Sequence, residues 1–179
     1  STAKYIATST LEAAVDTRAM CTSSTKIFIL EVMGRHSGWL AAASALARSH
    51  ANSAPHLILM PERPQTATTI LQTTEKAIQE DGFCIIVCAE GFTLRDQIST
   101  NQMHDPNQFC TFGHKRLGGI GQQLAQIISS QLGHKTRWTS ADYLQRAVGH
   151  IASATDLLIA KVAGKHAIKL LQDGKSQEM

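Results

Sequence analysis

Three short apolar runs constrain the fold of this chain more than any other feature. They are KIFILEVM (residues 26–33), HLILM (56–60) and FCIIVCA (83–89). Each run is almost unbroken and contains Ile or Val, which is typical of strands buried on both faces of a parallel sheet. Amphipathic helical patterns separate the runs. This alternation predicts an α/β fold, a three-layer, Rossmann-like, largely parallel sheet flanked by helices.

Five segments show apolar residues at helical spacing, namely residues 2–20, 37–49, 66–79, 115–132 and a last helix that begins at Ser153. The predicted buried face of the first helix consists of Leu11, Ala14, Val15 and Ala19. That of the second consists of Trp39, Leu40, Ala43, Leu46 and Ala47. The last helix opens with the capping-box pattern Ser153-Ala-Thr-Asp156. Residues 93–113 are polar and predict a loop, and residues 136–148 predict a short strand and a loop.

Charge and hydropathy exclude several classes of partner. Seventeen Lys and Arg against fourteen Asp and Glu give a net charge of +3, with no run of like charge. We therefore expect no nucleic acid and no membrane as partners. No apolar segment approaches the roughly 20 residues of a membrane span. The chain begins without Met and in the middle of a helical pattern, so we expect it to be an incomplete part of a longer protein.

The four cysteines, Cys21, Cys84, Cys88 and Cys110, form no CxxC pair and show no metal-ligand spacing. Cys84 and Cys88 lie within an apolar run, where burial is the expected role of a thiol. This usage fits a reducing compartment and predicts a cytoplasmic protein.

The motif MGRHSG follows the first apolar run directly. Gly34 allows the backbone to approach a ligand closely, and Arg35 supplies a fixed cation with five N–H donors. In a parallel α/β fold, ligands bind at the carboxyl ends of strands, which is where this motif falls. The motif is consistent with an anion or hydroxyl-rich ligand, and equally with an ordinary strand-to-helix turn.

Two further groups of polar residues fit a sugar phosphate. Glu90 follows the third apolar run and precedes Gly91, where a carboxylate accepts bonds from sugar hydroxyls, balances a nearby arginine or caps a neighbouring element. Arg137, Tyr143 and Arg146 lie close together in TRWTSADYLQR. Two guanidinium groups and a phenol suit a phosphate monoester, although an ordinary surface hairpin has the same composition. The motif LGGIG (117–121) follows a polar segment, not a strand, so we interpret its glycines as sites of close helix packing.

Taken together, the motifs resemble the phosphofructokinase family. The segments AKYIATSTLEAA, KIFILEVMGRHSGWLAAASALA, APHLILMPERP, GFCIIVCAEGF, FGHKRLGGIGQQLA, TRWTSADYLQR and SATD occur in the family's order. The resemblance implies that Met33, Gly34 and Arg35 hold fructose 6-phosphate and that Glu90 binds its hydroxyls. It also implies that Tyr143 and Arg146 hold the 6-phosphate from the same subunit.

Lys26 and Arg137 match basic positions that, in this family, reach the 6-phosphate from a neighbouring subunit. The resemblance therefore implies a homo-oligomer with shared active sites. The details APHLILMPE and YLQRAVGHIASATD resemble the diphosphate-dependent branch, because ATP-dependent members commonly continue QR with two glycines where Ala147 and Val148 stand. The implied activity is glycolytic phosphoryl transfer from diphosphate to the 1-hydroxyl of fructose 6-phosphate. An ATP-dependent 6-phosphofructokinase is the alternative donor assignment.

The family's catalytic aspartate motif (TIDND-like) and its GGD loop, which holds the phosphate donor and Mg²⁺, do not occur in the 179 residues. Residues 1–179 would thus form the fructose 6-phosphate-binding portion, with the donor-binding portion, the catalytic residues and the ligands of Mg²⁺ outside it. A non-catalytic sugar-phosphate-binding regulatory domain is a second hypothesis. An unrelated Rossmann-like domain is a third, which leaves the order of the motifs unexplained.

Overall fold

The computed structural model describes residues 1–49, 53–97 and 118–175. Within these ranges the α-helices are α1 (Thr2–Met20), α2 (Trp39–Ala43), α3 (Ala67–Asp81), α4 (Ile120–Leu132) and α5 (Ala154–Gln172). The strands are β1 (Ile27–Val32), β2 (Leu57–Leu59), β3 (Cys84–Ala89) and β4 (Thr136–Ser140). Short 3₁₀ turns lie at Ser44–Ala47, Arg95–Gln97, Asp142–Arg146 and Gly149–Ile151.

The four described strands form one parallel sheet in the order β2-β3-β1-β4. The strand β1 lies between β3 and β4, and Ile27 pairs with both Cys84 and Thr136. Because all strands run in the same direction, their carboxyl ends meet at one side of the sheet, called here the carboxyl edge, where β1 ends at Val32 and β3 at Ala89. The prediction of a parallel α/β sheet is confirmed.

Helices cover both faces of the sheet and produce the predicted three layers. On one face, α3 and α4 bury Ile70, Leu124 and Ile128 against β1, β2 and β3. On the other face, α1 and α2 bury Ile6 and Ala41 against the opposite sides of the same strands. Each large aliphatic side chain buried in this way contributes about 1.5–3 kcal/mol of transfer free energy. Strands covered on both faces need apolar residues at every position, which explains the unbroken runs in the sequence.

The predicted bounds of α1 are confirmed, but its predicted buried face is only partly right. The buried residues are Ile6, Thr10, Ala14 and Thr17, whereas Leu11 and Val15 are exposed. Threonine is tolerated in this interface because its hydroxyl is satisfied inside the helix. The Thr10 hydroxyl donates to the Ile6 carbonyl at 2.7 Å. The apolar spacing therefore selected a face rotated from the one that packs on the sheet.

The prediction of one helix over residues 37–49 is wrong. The segment forms the short helix α2 and then a 3₁₀ turn, and the helix begins only at Trp39. The Glu62 carboxylate accepts the Gly38 N–H at 2.8 and 3.0 Å, and this contact holds the entry to the helix. The side chains of Trp39 and Leu46, predicted to be buried, are 80% and 77% exposed. Small residues, Ala41 and Ser44, are buried instead.

The remaining helices agree with their predictions to different degrees. The helix α3, predicted over residues 66–79, covers Ala67–Asp81 and buries Ile70, Thr74 and Ala77. The helix α4 ends at Leu132, as predicted, and Gly133 is its C-cap. Residues 98–117, which include parts of the predicted loop and helix, lie outside the described residues. The helix α5 begins after Ser153, but that side chain makes no cap bond, so the predicted capping box is wrong. Within the described ranges, no helix has the length and apolar character needed to cross a membrane.

The two cysteines of β3, Cys84 and Cys88, are buried thiols, as predicted. Burial raises the pKa of Cys84 to about 12, and burial together with the Glu31 charge raises the pKa of Cys88. Cys21 is also a buried free thiol, and Cys110 lies outside the described residues. Thiols that stay protonated at neutral pH are inert, so Cys84 and Cys88 serve packing.

At the side of the sheet opposite the carboxyl edge, His56 bonds to β3. The Ile85 N–H donates to His56 Nδ1 at 2.9 Å, and His56 Nε2 lies 3.3 Å from Asp81 Oδ2. An Nδ1 that accepts a bond carries no proton, so the ring is neutral with its proton on Nε2. Burial lowers the pKa of His56, and the charge of Asp81 opposes this shift only in part.

The lowered pKa of His56 predicts a loss of stability in mild acid. Below a pH of about 6.5 the unfolded chain binds a proton that the folded chain resists, so the free energy of unfolding falls as the pH falls. The variant His56→Asn keeps an acceptor for the Ile85 N–H but does not titrate. We expect urea denaturation from about pH 7 to about pH 5 to show a smaller decrease for the variant than for the parent. Equal decreases would contradict this assignment.

Candidate functional site

The turn Met33-Gly34-Arg35 and the end of β3 are interlocked at the carboxyl edge. The Gly91 N–H donates to the Gly34 carbonyl at 3.0 Å, and the Gly34 N–H donates to Glu90 Oε1 at 3.4 Å. Gly34 has φ of 149°, which favours glycine, and a Cβ on Gly91 would lie 1.9 Å from the Arg35 carbonyl oxygen. The structure therefore brings together four of the predicted site residues, Met33, Gly34, Arg35 and Glu90.

The Glu90 carboxylate has hydrogen-bonding capacity beyond its contact with Gly34. The residue is partly exposed, and the distance of 3.4 Å to the Gly34 nitrogen is long for an N–H···O bond. A carboxylate accepts at two oxygens, each with two lone pairs. Glu90 thus supports the neighbouring turn and can also accept bonds from hydroxyl groups of a ligand.

The turn Asp142–Arg146 follows β4 at the same edge and carries two more predicted residues. Tyr143 and Arg146 are both exposed, and the guanidinium carbon of Arg146 lies 4.2 Å from the centre of the Tyr143 ring. Residues three apart in a 3₁₀ turn lie on the same side, which explains why the two side chains meet. A cation stacked on an aromatic ring in this way presents its N–H donors and the phenol together.

Gln145 is a site residue that the sequence did not reveal. Its Oε1 accepts the Met33 N–H at 3.1 Å, and its Nε2 donates to the Asp142 carbonyl at 2.8 Å. The side chain is fully buried between exposed neighbours. No apolar periodicity marks this position. Only the folded chain therefore shows that the turn Asp142–Arg146 is attached to the turn Met33-Gly34-Arg35, called here the MGR turn.

Glu31 is a second residue that was missed, although a signal was present. It is a carboxylate inside an apolar strand and is 3% exposed. Its two oxygens accept the N–H groups of Gly119 (3.0 Å) and Gly121 (2.7 Å) at the start of α4. A buried carboxylate requires such partners. A Cβ on Gly121 would lie 3.0 Å from Glu31 Oε2, so the predicted close packing is confirmed for Gly121. It is wrong for Gly119, where a Cβ would meet nothing within 4 Å.

A cavity of about 240 Å³ lies among these elements. It adjoins both the MGR turn, through Met33, and the end of β3, through Glu90. Its lining is largely polar and comprises Glu31, Val32, Met33, Glu90, Gly118, Gly119, Trp138, Ser140, Asp142 and Gln145. The cavity offers room for a small polar ligand next to two of the predicted site residues, Met33 and Glu90.

The structure does not bring Lys26 and Arg137 to this site within one copy of the chain. The Lys26 N–H donates to the Lys135 carbonyl at 3.3 Å, at the start of β1, and Arg137 pairs with Phe28. With about 3.3 Å per residue along a strand, Lys26 lies roughly 20 Å from Met33. Arg137 is exposed on β4, at the edge of the described sheet.

Comparison with known proteins gives one consistent result. A family model described as "Phosphofructokinase" matches residues 1–171. The chain is 45% identical over 179 residues to the pyrophosphate–fructose 6-phosphate 1-phosphotransferase of Halomonas elongata. It is 41% identical over 174 residues to the protein of the same name from Xanthomonas campestris. These alignments cover 100% and 97% of the chain but only 42% and 41% of the two relatives.

A solved structure agrees with this result. The crystal structure of a pyrophosphate-dependent phosphofructokinase from Marinobacter aquaeolei superimposes with a TM-score of 0.79 at 43% identity. The match covers 98% of this chain and 40% of that protein. The chain therefore spans about two fifths of the length of the relatives that it matches.

The close contact between the end of β3 and the MGR turn predicts that one methyl group added at Gly91 lowers the stability of the fold. We expect Gly91→Ala to destabilise the fold by about 1–3 kcal/mol, because its Cβ would collide with the backbone of the MGR turn. Gly149→Ala is the matched control, since a Cβ there meets nothing within 4 Å. Thermal and urea denaturation measure both variants. Equal stability of the two would contradict the close contact between Gly91 and Arg35.

Proposed function

The chain belongs to the phosphofructokinase family, and we propose that residues 1–179 form the fructose 6-phosphate-binding portion of a diphosphate-dependent phosphotransferase. The complete enzyme would transfer a phosphoryl group from diphosphate to the 1-hydroxyl of the sugar. The observation that carries this proposal is the convergence of the MGR turn, Glu90 and the Tyr143–Arg146 pair at one edge of the sheet.

The sugar would bind between the ends of β1 and β3. Glu90 would accept hydrogen bonds from its hydroxyl groups, and the backbone of Met33 and Gly34 would lie against the ring. Gly34 has no side chain, which lets this turn pack against the Ser37 carbonyl and Ala89, where a Cβ would lie 2.6 and 3.1 Å away. The polar cavity beside Met33 and Glu90 supports this placement.

The 6-phosphate would bind at the Tyr143–Arg146 pair. A phosphate monoester carries close to two negative charges at neutral pH. The guanidinium group can donate two parallel bonds to its oxygens, and the phenol can donate a third. Arg35, the last residue of the MGR turn, adds a positive charge on the same edge.

Lys26 and Arg137 would reach the 6-phosphate of a neighbouring copy. Their distance from Met33 along the sheet supports a role in the site of another copy and not in that of their own. Arg137 is exposed on the edge strand, where a second chain can approach. This part of the proposal requires a homo-oligomer with shared sites, and the affinity for the sugar phosphate should then rise with protein concentration.

Diphosphate is the proposed donor because pyrophosphate, which is the same ion, appears in the names of the relatives from Halomonas and Xanthomonas. Phosphoryl transfer of this kind would use Mg²⁺ to neutralise charge on the donor. The described residues contain no group of three His, Cys, Asp or Glu side chains able to hold a metal ion. We therefore propose no Mg²⁺ ligands among the described residues, whose proposed role is to bind and orient the sugar.

We propose the cytoplasm as the location of the protein. The thiols of Cys21, Cys84 and Cys88 are unpaired in the described part of the chain, which suits a reducing compartment.

The phosphate-binding role of Arg146 predicts a large loss of affinity in Arg146→Ala. We expect fructose 6-phosphate to bind about 10- to 150-fold more weakly, because hydrogen bonds to charged groups contribute about 1.5–3 kcal/mol. Isothermal titration calorimetry of the purified chain measures the effect. Lys161→Ala, which removes an exposed cation on α5, is the control and should bind like the parent. Equal affinity of Arg146→Ala and the parent would contradict this role.

The TIDND-like motif and the GGD loop do not occur in the 179 residues. Their absence predicts that these residues alone do not turn over substrate. We expect no fructose 1,6-bisphosphate from the purified chain with diphosphate, fructose 6-phosphate and Mg²⁺. The intact Halomonas elongata enzyme, assayed in parallel, shows that the conditions support the reaction. Formation of Mg²⁺-dependent product by the chain itself would show that a donor site and a catalytic base are present within it.

A further inference from the structure

Gln145 differs from every other residue in its turn. Its side chain is 0% exposed, whereas Asp142, Tyr143, Leu144 and Arg146 are all exposed. A glutamine in a surface turn would ordinarily lie in solvent, because burial of an amide costs free energy unless both of its ends are paired. Both ends of Gln145 are paired, which indicates that the turn is built around this side chain.

The amide of Gln145 takes the place of a missing strand partner. Along β1, Glu31 bonds towards β4, since its carbonyl accepts the Ala141 N–H at 2.9 Å. The next N–H on the same side of β1 is that of Met33, two residues on, where β4 has already ended. Gln145 Oε1 accepts this N–H at 3.1 Å. The side chain thus extends the ladder by one bond and attaches the turn to the MGR segment.

The second bond of the same amide shapes the turn itself. Asp142 has φ of 37°, a left-handed conformation that side chains other than glycine rarely adopt. Gln145 Nε2 donates to the Asp142 carbonyl at 2.8 Å and so holds this peptide in place. With the turn in this conformation, Tyr143 and Arg146 project on the same side and stack at 4.2 Å.

We propose that Gln145 is a positioning residue for the sugar-phosphate site, which sets the Tyr143–Arg146 pair at a defined place relative to the MGR turn. This inference rests on the proposed function, because the pair is there assigned to the 6-phosphate. Gln145 does not contact the phosphate in this scheme. Its amide acts through Tyr143 and Arg146, which contact the phosphate.

The first experiment needs no ligand. The stack of Arg146 on the Tyr143 ring shifts the resonances of the Arg146 side chain, and nuclear magnetic resonance detects this shift. We expect the shift to be lost in Gln145→Leu, which removes both bonds, and kept in Leu144→Ala, an exposed neighbour in the same turn. A shift that persists in a folded Gln145→Leu would overturn the proposal.

The variant Gln145→Glu gives a conservative rescue and guards against misfolding of Gln145→Leu. A protonated carboxyl has one O–H donor and one acceptor, like the amide, whereas a carboxylate only accepts and would face the Asp142 carbonyl. The carboxylates of Asp142, Glu90 and Glu31 line the same cavity and favour the protonated form. We expect the stack to be present at about pH 5 and lost at about pH 8. A stack that is independent of pH in this variant, as in the parent, would overturn the proposal.

The second experiment measures binding of fructose 6-phosphate in a double-mutant cycle. We expect Gln145→Leu to weaken binding about tenfold in the parent and less than about twofold when Arg146 is already alanine, because the two changes act on one contact. Equal effects in both backgrounds would mean that Gln145 does not act through Arg146. If the parent itself does not bind the sugar phosphate, the proposed function fails, and the resonance experiment still decides whether Gln145 positions the pair.

Discussion

Hydrogen bonding of β1 along both of its sides is the constraint on which the rest of the structure depends. This strand pairs in parallel with β3 and with β4, and the register runs without interruption from Ile27 to Glu31 on both sides. A buried strand must satisfy its N–H and C=O groups on each side, so neighbouring strands end where β1 ends. Polar residues that follow these strands therefore lie together at the carboxyl edge, although they are distant in the chain.

Two buried polar side chains pair N–H groups of the backbone that the strands of the sheet do not. Glu31 accepts the first free N–H groups of α4, and Gln145 accepts the N–H of Met33. Each side chain supplies a hydrogen-bond acceptor to a backbone N–H group that has no backbone acceptor from a neighbouring strand. Leaving such a buried group unpaired costs about 1–3 kcal/mol, so both bonds hold α4 and the Asp142–Arg146 turn against β1. One strand thus provides the centre of the core and the support of the candidate site.

Sequence reasoning succeeded where the signal was local and failed where it depended on neighbours. The strands and α1 were predicted within one or two residues, because buried parallel strands and helices have distinct apolar spacing. The faces of α1 and α2 were predicted only in part, since Thr10 and Thr17 are buried while Leu11 and Trp39 are exposed. Apolar spacing identifies a helix but does not state which side meets the sheet when several sides are similar in polarity.

The sequence by itself determined the class of fold, the order of the motifs and the chemistry available at the strand ends, because these follow from residue type and spacing. Only the tertiary structure decided which of those groups meet. It joined Gly34 to Glu90 and Gly91, stacked Arg146 on Tyr143, and placed Lys26 and Arg137 elsewhere on the sheet. The parts played by Glu31 and Gln145 also came from the structure, because a hydrogen bond between distant segments depends on register, which no local pattern records.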